Sequence, residues 1–271
     1  QLAAILTGSI GAMSYVFADY AVKFWPGLGG TSAAWLAASA VICLAIVNVV
    51  GMIVGKTVQN ALTIAKLCGM LAIVVGGFLF GKDVSLAAQT PMGGPGFGLA
   101  MIFVLFAYGG WNDAAFVAAE VRDRQRNLPW VLLLGTGSIM LIYLCVNAGY
   151  LFGLGFEGVR ASSAPAADVF RNVLGEWGSK GMSVVVMISA LGAVNGMMFT
   201  GSRVYASLGA DHRVFAFLGR WHPRFATPVW SLLAETAVAL MLIVIVGTER
   251  GRGGLDSVLQ TVGLSPLPWE Q

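Results

Sequence analysis

Residues 106 to 120, FAYGGWNDAAFVAAE, place two adjacent glycines, a Trp-Asn-Asp triplet and a closing glutamate inside an otherwise apolar run. Glycine in a helix interior is less favourable than alanine by roughly 1 kcal/mol, so Gly109 and Gly110 mark a place where a helix is ready to unwind. The run that holds them extends over about 97–119, enough for a bilayer-crossing helix of about 20 residues. An unwound turn in the middle of such a helix exposes backbone N–H and C=O groups and two half-helix dipole ends. That arrangement suits a zwitterion or an ion, and the bilayer tolerates it only beside a cavity. Close packing competes with this reading, because small residues also let two helices approach.

The surrounding chain repeats the pattern of long apolar runs. Of 271 residues, 57% are hydrophobic and 11% charged, against about 25% charged in a soluble domain. Spans are expected at about 2–25, 32–55, 59–81, 97–119, 128–155, 181–205 and 227–247. They are continuous and rich in Leu, Val, Ala and Gly rather than alternating, so helices and not barrel strands satisfy the backbone. The expected fold class is all-α: a polytopic membrane helix bundle, one transmembrane domain over 1–271, with the lipid bilayer as a partner. Gln1 already lies in an apolar segment, and LSPLPWEQ closes the chain just as another, 255–264, has begun. A piece of a longer protein, truncated at both ends, is therefore expected.

Charge sets the expected orientation. Arg122, Arg124 and Arg126 crowd one short loop, and Arg203, Arg213, Arg220 and Arg224 follow the sixth span; dense Lys and Arg in short loops point to the cytoplasm. The first span then runs outward, and the polar stretch around 156–180 is an external loop. A formal net charge of +3 without a basic block argues against nucleic acid. Cys43, Cys68 and Cys145 lie in apolar runs and read as small buried hydrophobes. His212 and His222 share one loop, and no metal-ligand spacing, phosphate-cradling loop or catalytic pair stands out. The reading therefore assigns no catalytic residue, no metal and no cofactor.

Polar side chains inside spans are costly against lipid and mark functional candidates. In VQNALTIAKLCGM, Gln59, Thr63 and Lys66 fall at i, i+4 and i+7 and form one polar stripe. Lys66 either looks into the bundle or snorkels to the interface along its stem. In SALGAVNGMMFTGSR, Gly192 and Gly196 form a GxxxG face suited to packing, while Ser189 and Asn195 can bond to another helix or to a ligand. Asp19 and Glu235 also lie within spans, and no partner for either is legible.

Three stretches together carry a family resemblance. LFAYGGWNDAAFVAAEVRDRQRNLP resembles the sixth helix and following loop of the amino acid, polyamine and organocation transporter superfamily, in its L-type amino acid transporter-like branch. VQNALTIAKLCGMLAIVVGG resembles that family's fifth helix. ISALGAVNGMMFTGSRVYASLGAD, with HPRFATP after it, resembles the eighth helix and the loop before the ninth. The likeness covers about residues 1–250, in matching order and spacing.

The resemblance implies that the spans are helices three to nine of a twelve-helix leucine-transporter fold, with its two inverted repeats. Substrate lies there between unwound parts of the first and sixth helices, so half of the cradle falls outside this chain. It further implies that Phe106 is the aromatic gate, that Ala107, Tyr108, Gly109 and Gly110 form the unwound segment meeting the substrate amine, and that Trp111 and Asn112 follow it. Lys66 matches the lysine that takes the place of a sodium ion, with Ser189 as the matching serine, and Asn195 matches a position near the pocket. Asp113 departs from the neutral or aromatic residue of many relatives, which leaves the preferred amino acid open. Glu120 and the arginines behind it form a cytoplasmic boundary or an inner-gate ion pair.

The expected function is secondary active transport of an amino acid substrate by alternating access, as a sodium-independent exchanger or proton-coupled permease in the plasma membrane. The resemblance leaves an accessory subunit open. The alternatives are a seven-helix receptor or sensor, suggested by span number alone, and a carrier of polyamines or another small organic solute.

Overall fold

The computed structural model describes residues 5–25, 27, 32–81, 96–110, 121–162, 164–261 and 265. Its α-helices, in chain order, are α1 (Thr7–Phe24), α2 (Ser32–Val50), α3 (Met52–Phe80), α4 (Phe97–Ala107), α5 (Arg124–Ala161), α6 (Pro165–Leu174), α7 (Glu176–Asp211), α8 (Val229–Gly247) and α9 (Glu249–Thr261). Helices α2, α3, α5, α7 and α8 are long and apolar enough to cross a membrane. The chain is thus an all-α polytopic membrane bundle. Large side chains such as Trp35, Ile53 and Leu79 stand exposed on these helices. A helix that is apolar all round has no solvated face and is at home in lipid.

The helices divide into two compact units, one of residues 1–64 and 186–271, the other of 65–185, with α3 and α7 running through both. In the first unit α1, α2 and α8 pack on one another. Its core is built from Ile10, Val41, Leu44, Val194, Met198, Leu232 and Ile243, with the fully buried Ala18, Ala37 and Ala239 among them. The glycines of the GxxxG face pack as that reading expects. A Cβ on Gly192 would come within 3.4 Å of Leu62 on α3, and one on Gly196 within 3.4 Å of the Gln59 side chain.

The second unit packs α5 and α6 on the later half of α3. A Cβ at Gly77 would overlap the backbone of Gly149, so the two helices meet with no side chain between them. Beside this contact the Phe78 and Phe152 rings meet at a tilt of 35°, with centroids 4.7 Å apart. Apolar surface supplies no preference for helix over lipid, so such backbone approach is how membrane helices gain attraction.

Three expectations are corrected here. The stretch 156–180 is largely helical: beyond a kink at Gly155, where φ is 74°, α5 runs on to Ala161 and α6 follows. Pro165 opens α6 with its preset φ, the Ala164 N–H donates to Ser162 Oγ at 3.1 Å, and Ser162 in turn donates to Asp168 in the first turn. Gly175, at φ 62°, ends the helix. Arg203 is no loop residue: it lies inside α7 and is buried, its guanidinium over the Phe199 ring at 3.5 Å and its Nη2 3.7 Å from Met52 Sδ. Cys43 and Cys68 are exposed and Cys145 is half-buried, since uniformly apolar helices place small residues on lipid-ready faces as readily as in the core.

Candidate functional site

Helix α4 stops at Ala107, directly before the Tyr-Gly-Gly sequence, and residues 108–110 form a turn. The Tyr108 N–H closes the last helical bond on Val104 O at 3.1 Å. Gly110 then takes φ 90°, a backbone region that a side chain would strain. Phe106 is the penultimate residue of α4, and its side chain is outside the description. Trp111, Asn112, Asp113 and Glu120 lie outside the described residues.

A tyrosine that the sequence reading did not single out completes this corner. Tyr143 on α5 donates its hydroxyl to Ala107 O at 3.3 Å, and its ring meets Tyr108 edge to face with centroids 5.3 Å apart. Between them opens a cleft of about 340 Å³, bounded by Ala107, Tyr108, Gly109 and Gly110 on one side and by Val131, Leu132, Gly135, Thr136, Ile139 and Tyr143 of α5 on the other. The C-terminal end of a helix carries partial negative charge on its unpaired carbonyls, so this corner presents an electronegative backbone edge beside an apolar wall. An ammonium group next to an aliphatic or aromatic body matches that chemistry.

Asn195 belongs to the other unit and is fully buried there, at 0% exposure. Its Oδ1 accepts from Asn48 Nδ2 on α2 at 2.7 Å, and its Nδ2 donates to Gln59 Oε1 on α3 at 2.8 Å and to Gly55 O at 3.4 Å. Asn48 Nδ2 also donates to Leu44 O at 2.8 Å. The amide network ties α2, α3 and α7 together and occupies the hydrogen-bonding capacity of Asn195 inside the protein. Gln59 was visible as part of the polar stripe; Asn48 was not noticed, although it is likewise an amide inside an apolar run.

Lys66 is exposed on α3, and among the described residues no hydrogen bond or ion pair reaches it. Ser189 is half-buried on α7. The two residues fall in different units, Lys66 with α4 and α5, Ser189 with Asn195. Among the described residues no group of three or more His, Cys, Asp or Glu side chains is placed to hold a metal.

Comparison with known proteins gives this geometry a family. The amino acid permease family matches residues 2–263. The chain is 28% identical over 250 residues to the serine/threonine exchanger SteT of Bacillus subtilis, covering 89% of this chain and 56% of that protein. It is 27% identical over 219 residues to the b(0,+)-type amino acid transporter 1 of Mus musculus, covering 77% and 44%. Against the large neutral amino acids transporter small subunit 2 of Homo sapiens it is 28% identical over 218 residues, covering 77% and 41%. The chain thus spans about half the length of the curated relatives it matches. These proteins are named as an exchanger and transporters. With the family match running nearly end to end, this integral membrane chain belongs to the amino acid permease family.

Proposed function

We propose that the protein to which this chain belongs is a secondary amino acid transporter that works by alternating access, without sodium, as an exchanger or with protons, in the plasma membrane. The observation that carries the reading is the end of α4 at Ala107, with Tyr108, Gly109 and Gly110 turned beside a cleft, in a chain of the amino acid permease family. In this reading the seven apolar runs all cross the bilayer, and the backbone of residues 107–110 receives the substrate's amine. Phe106 closes over the substrate, and Trp111 and Asn112 continue the site. Lys66 supplies a fixed positive charge where a sodium-coupled carrier holds an ion, and Ser189 is its counterpart on α7. Asn195 acts through the helix it anchors, since its amide is already engaged by Asn48, Gln59 and Gly55.

The test is uptake of a labelled amino acid panel by the full-length protein in proteoliposomes, with and without sodium and with and without a proton gradient. Saturable uptake that persists without sodium is the expected result, weakened in Gly110→Ala at unchanged protein yield because alanine resists the φ of 90°. A strict sodium requirement removes the role given to Lys66, and uptake of no amino acid by folded protein overturns the carrier reading.

A further inference from the structure

Glu235 is used neither by the proposed transport site nor by the core. It lies in the second turn of α8, roughly 9 Å from the helix start at 1.5 Å per residue. It is 0% exposed, and among the described residues neither carboxyl oxygen has a hydrogen-bond partner. On α7 the facing position is Gly201, where a Cβ would overlap the Glu235 carboxyl. One turn along the same α7 face, the Tyr205 hydroxyl is buried without a hydrogen-bond partner among the described residues. Ser231, one turn before Glu235 on α8, donates to Leu218 O at 2.7 Å, and Thr236 donates to Leu232 O at 2.7 Å. At the foot of α8, Thr227 Oγ1 is again buried and, among the described residues, without a hydrogen-bond partner. A seam of polar atoms therefore runs from the exposed segment before α8 into the bundle and ends at a carboxyl group.

An unpartnered carboxylate inside a membrane bundle is strongly unfavourable, so the group calls for a compensating positive charge. A metal ion is poorly served: oxygen-liganded cations take about six ligands and commonly several carboxylates, while among the described residues no group of three or more His, Cys, Asp or Glu is placed to hold one. A proton needs none of these: it neutralises the carboxylate where it stands, beside Gly201 and one turn from Tyr205 on the facing helix. We propose that Glu235, backed by Tyr205, is a proton-binding site that exchanges with water through the Thr227 end of α8. On uptake an O–H bond of hydronium breaks, an O–H bond forms on the carboxylate and water remains; release reverses this.

Among the described residues, the groups on the neighbouring elements leave Glu235 uncompensated. Arg203 of α7 is turned to Phe199 O and Met52 Sδ, and Asp211 is exposed at the end of that helix. Tyr15 of α1 donates to Ile243 O two turns further along α8, with Asp19, Tyr20 and Lys23 beyond it. The titratable side chain of α2, Cys43, is exposed. Glu249, Arg250, Arg252 and Asp256 of α9 follow the far end of α8. His212, Arg213, Arg220, His222 and Arg224, in the segment before α8, are exposed.

The inference is independent of the transport reading and is tested without it. Infrared spectra of the full-length protein in lipid are expected to show the C=O stretch of a protonated carboxylic acid that disappears in Glu235→Gln, moves in Tyr205→Phe and moves in D2O. A band that survives Glu235→Gln overturns the assignment. A band that belongs to Glu235 but stays fixed in D2O overturns the exchange, leaving a locked structural acid. If Glu235→Gln does not fold, a band moved by neither D2O nor Tyr205→Phe is equally decisive against the site.

Discussion

At the scale of the residue, the amide network around Asn195 shows what a buried polar side chain does in this chain. Interhelical hydrogen bonds in membranes contribute about 0.6 kcal/mol on average, because the separated helices find other partners. Deleting Asn195 does more than remove such a bond, since it leaves the buried Asn48 amide and the half-buried Gln59 amide facing a hole. A stranded buried group costs about 1–3 kcal/mol. Asn195→Ala is therefore expected to lower the thermal midpoint of the full-length protein in detergent, and Asn48→Ala to do so as well. The double variant is expected to lose less than the two losses added, because each single change already strands the other partner. Strict additivity in that cycle would show the two amides to be energetically separate, against the 2.7 Å contact between them.

At the scale of the element, glycine has two meanings that composition alone does not separate. Gly77 faces the backbone of Gly149 so closely that a methyl group has no room, whereas around Gly98 on α4 nothing lies within 4 Å of an added Cβ. Gly77→Ala is expected to wedge α3 from α5 at about 1–3 kcal/mol or more, seen as loss of folded yield. Gly98→Ala is expected to be neutral or to stabilise by up to about 1 kcal/mol through helix propensity. Equal behaviour of the two variants would disprove the α3–α5 contact. The same distinction explains what was legible in the sequence. Continuous apolar runs announce membrane helices, because lipid leaves a spanning backbone little other choice, and the Gly-Gly pair announced the end of α4. Helix α6 was missed because its start depends on a local exchange among Ser162, Ala164 and Asp168 that adds no apolar run. Tyr143 was missed because its role depends on a carbonyl brought to it by another helix, and Asn48 because an amide gains meaning only when Asn195 is set beside it.

At the scale of the whole molecule, the chain spans 56%, 44% and 41% of three relatives with transport names, and its candidate residues fall into two separately packed units. The helix end at Ala107 presents one electronegative edge and one apolar wall. A substrate that must be enclosed to be moved needs further walls. Small-molecule sites commonly bury 70–90% or more of their ligand, and a corner between α4 and α5 leaves much of an amino acid open. The 271-residue chain alone is therefore expected to insert into membranes, since α2, α3, α5, α7 and α8 have the length and apolarity to do so, yet to give no saturable uptake in proteoliposomes. Under the proposed function, the full-length protein, reconstituted in parallel, is expected to transport. Co-expression of the chain with the remaining segments as separate polypeptides is expected to restore part of that uptake, because membrane helices that are each stable across the bilayer can associate after insertion. Saturable uptake by the isolated chain would mean that residues 107–110 and the cleft beside them already close around the substrate, and the proposal that the cradle is shared with segments beyond this chain would then be abandoned.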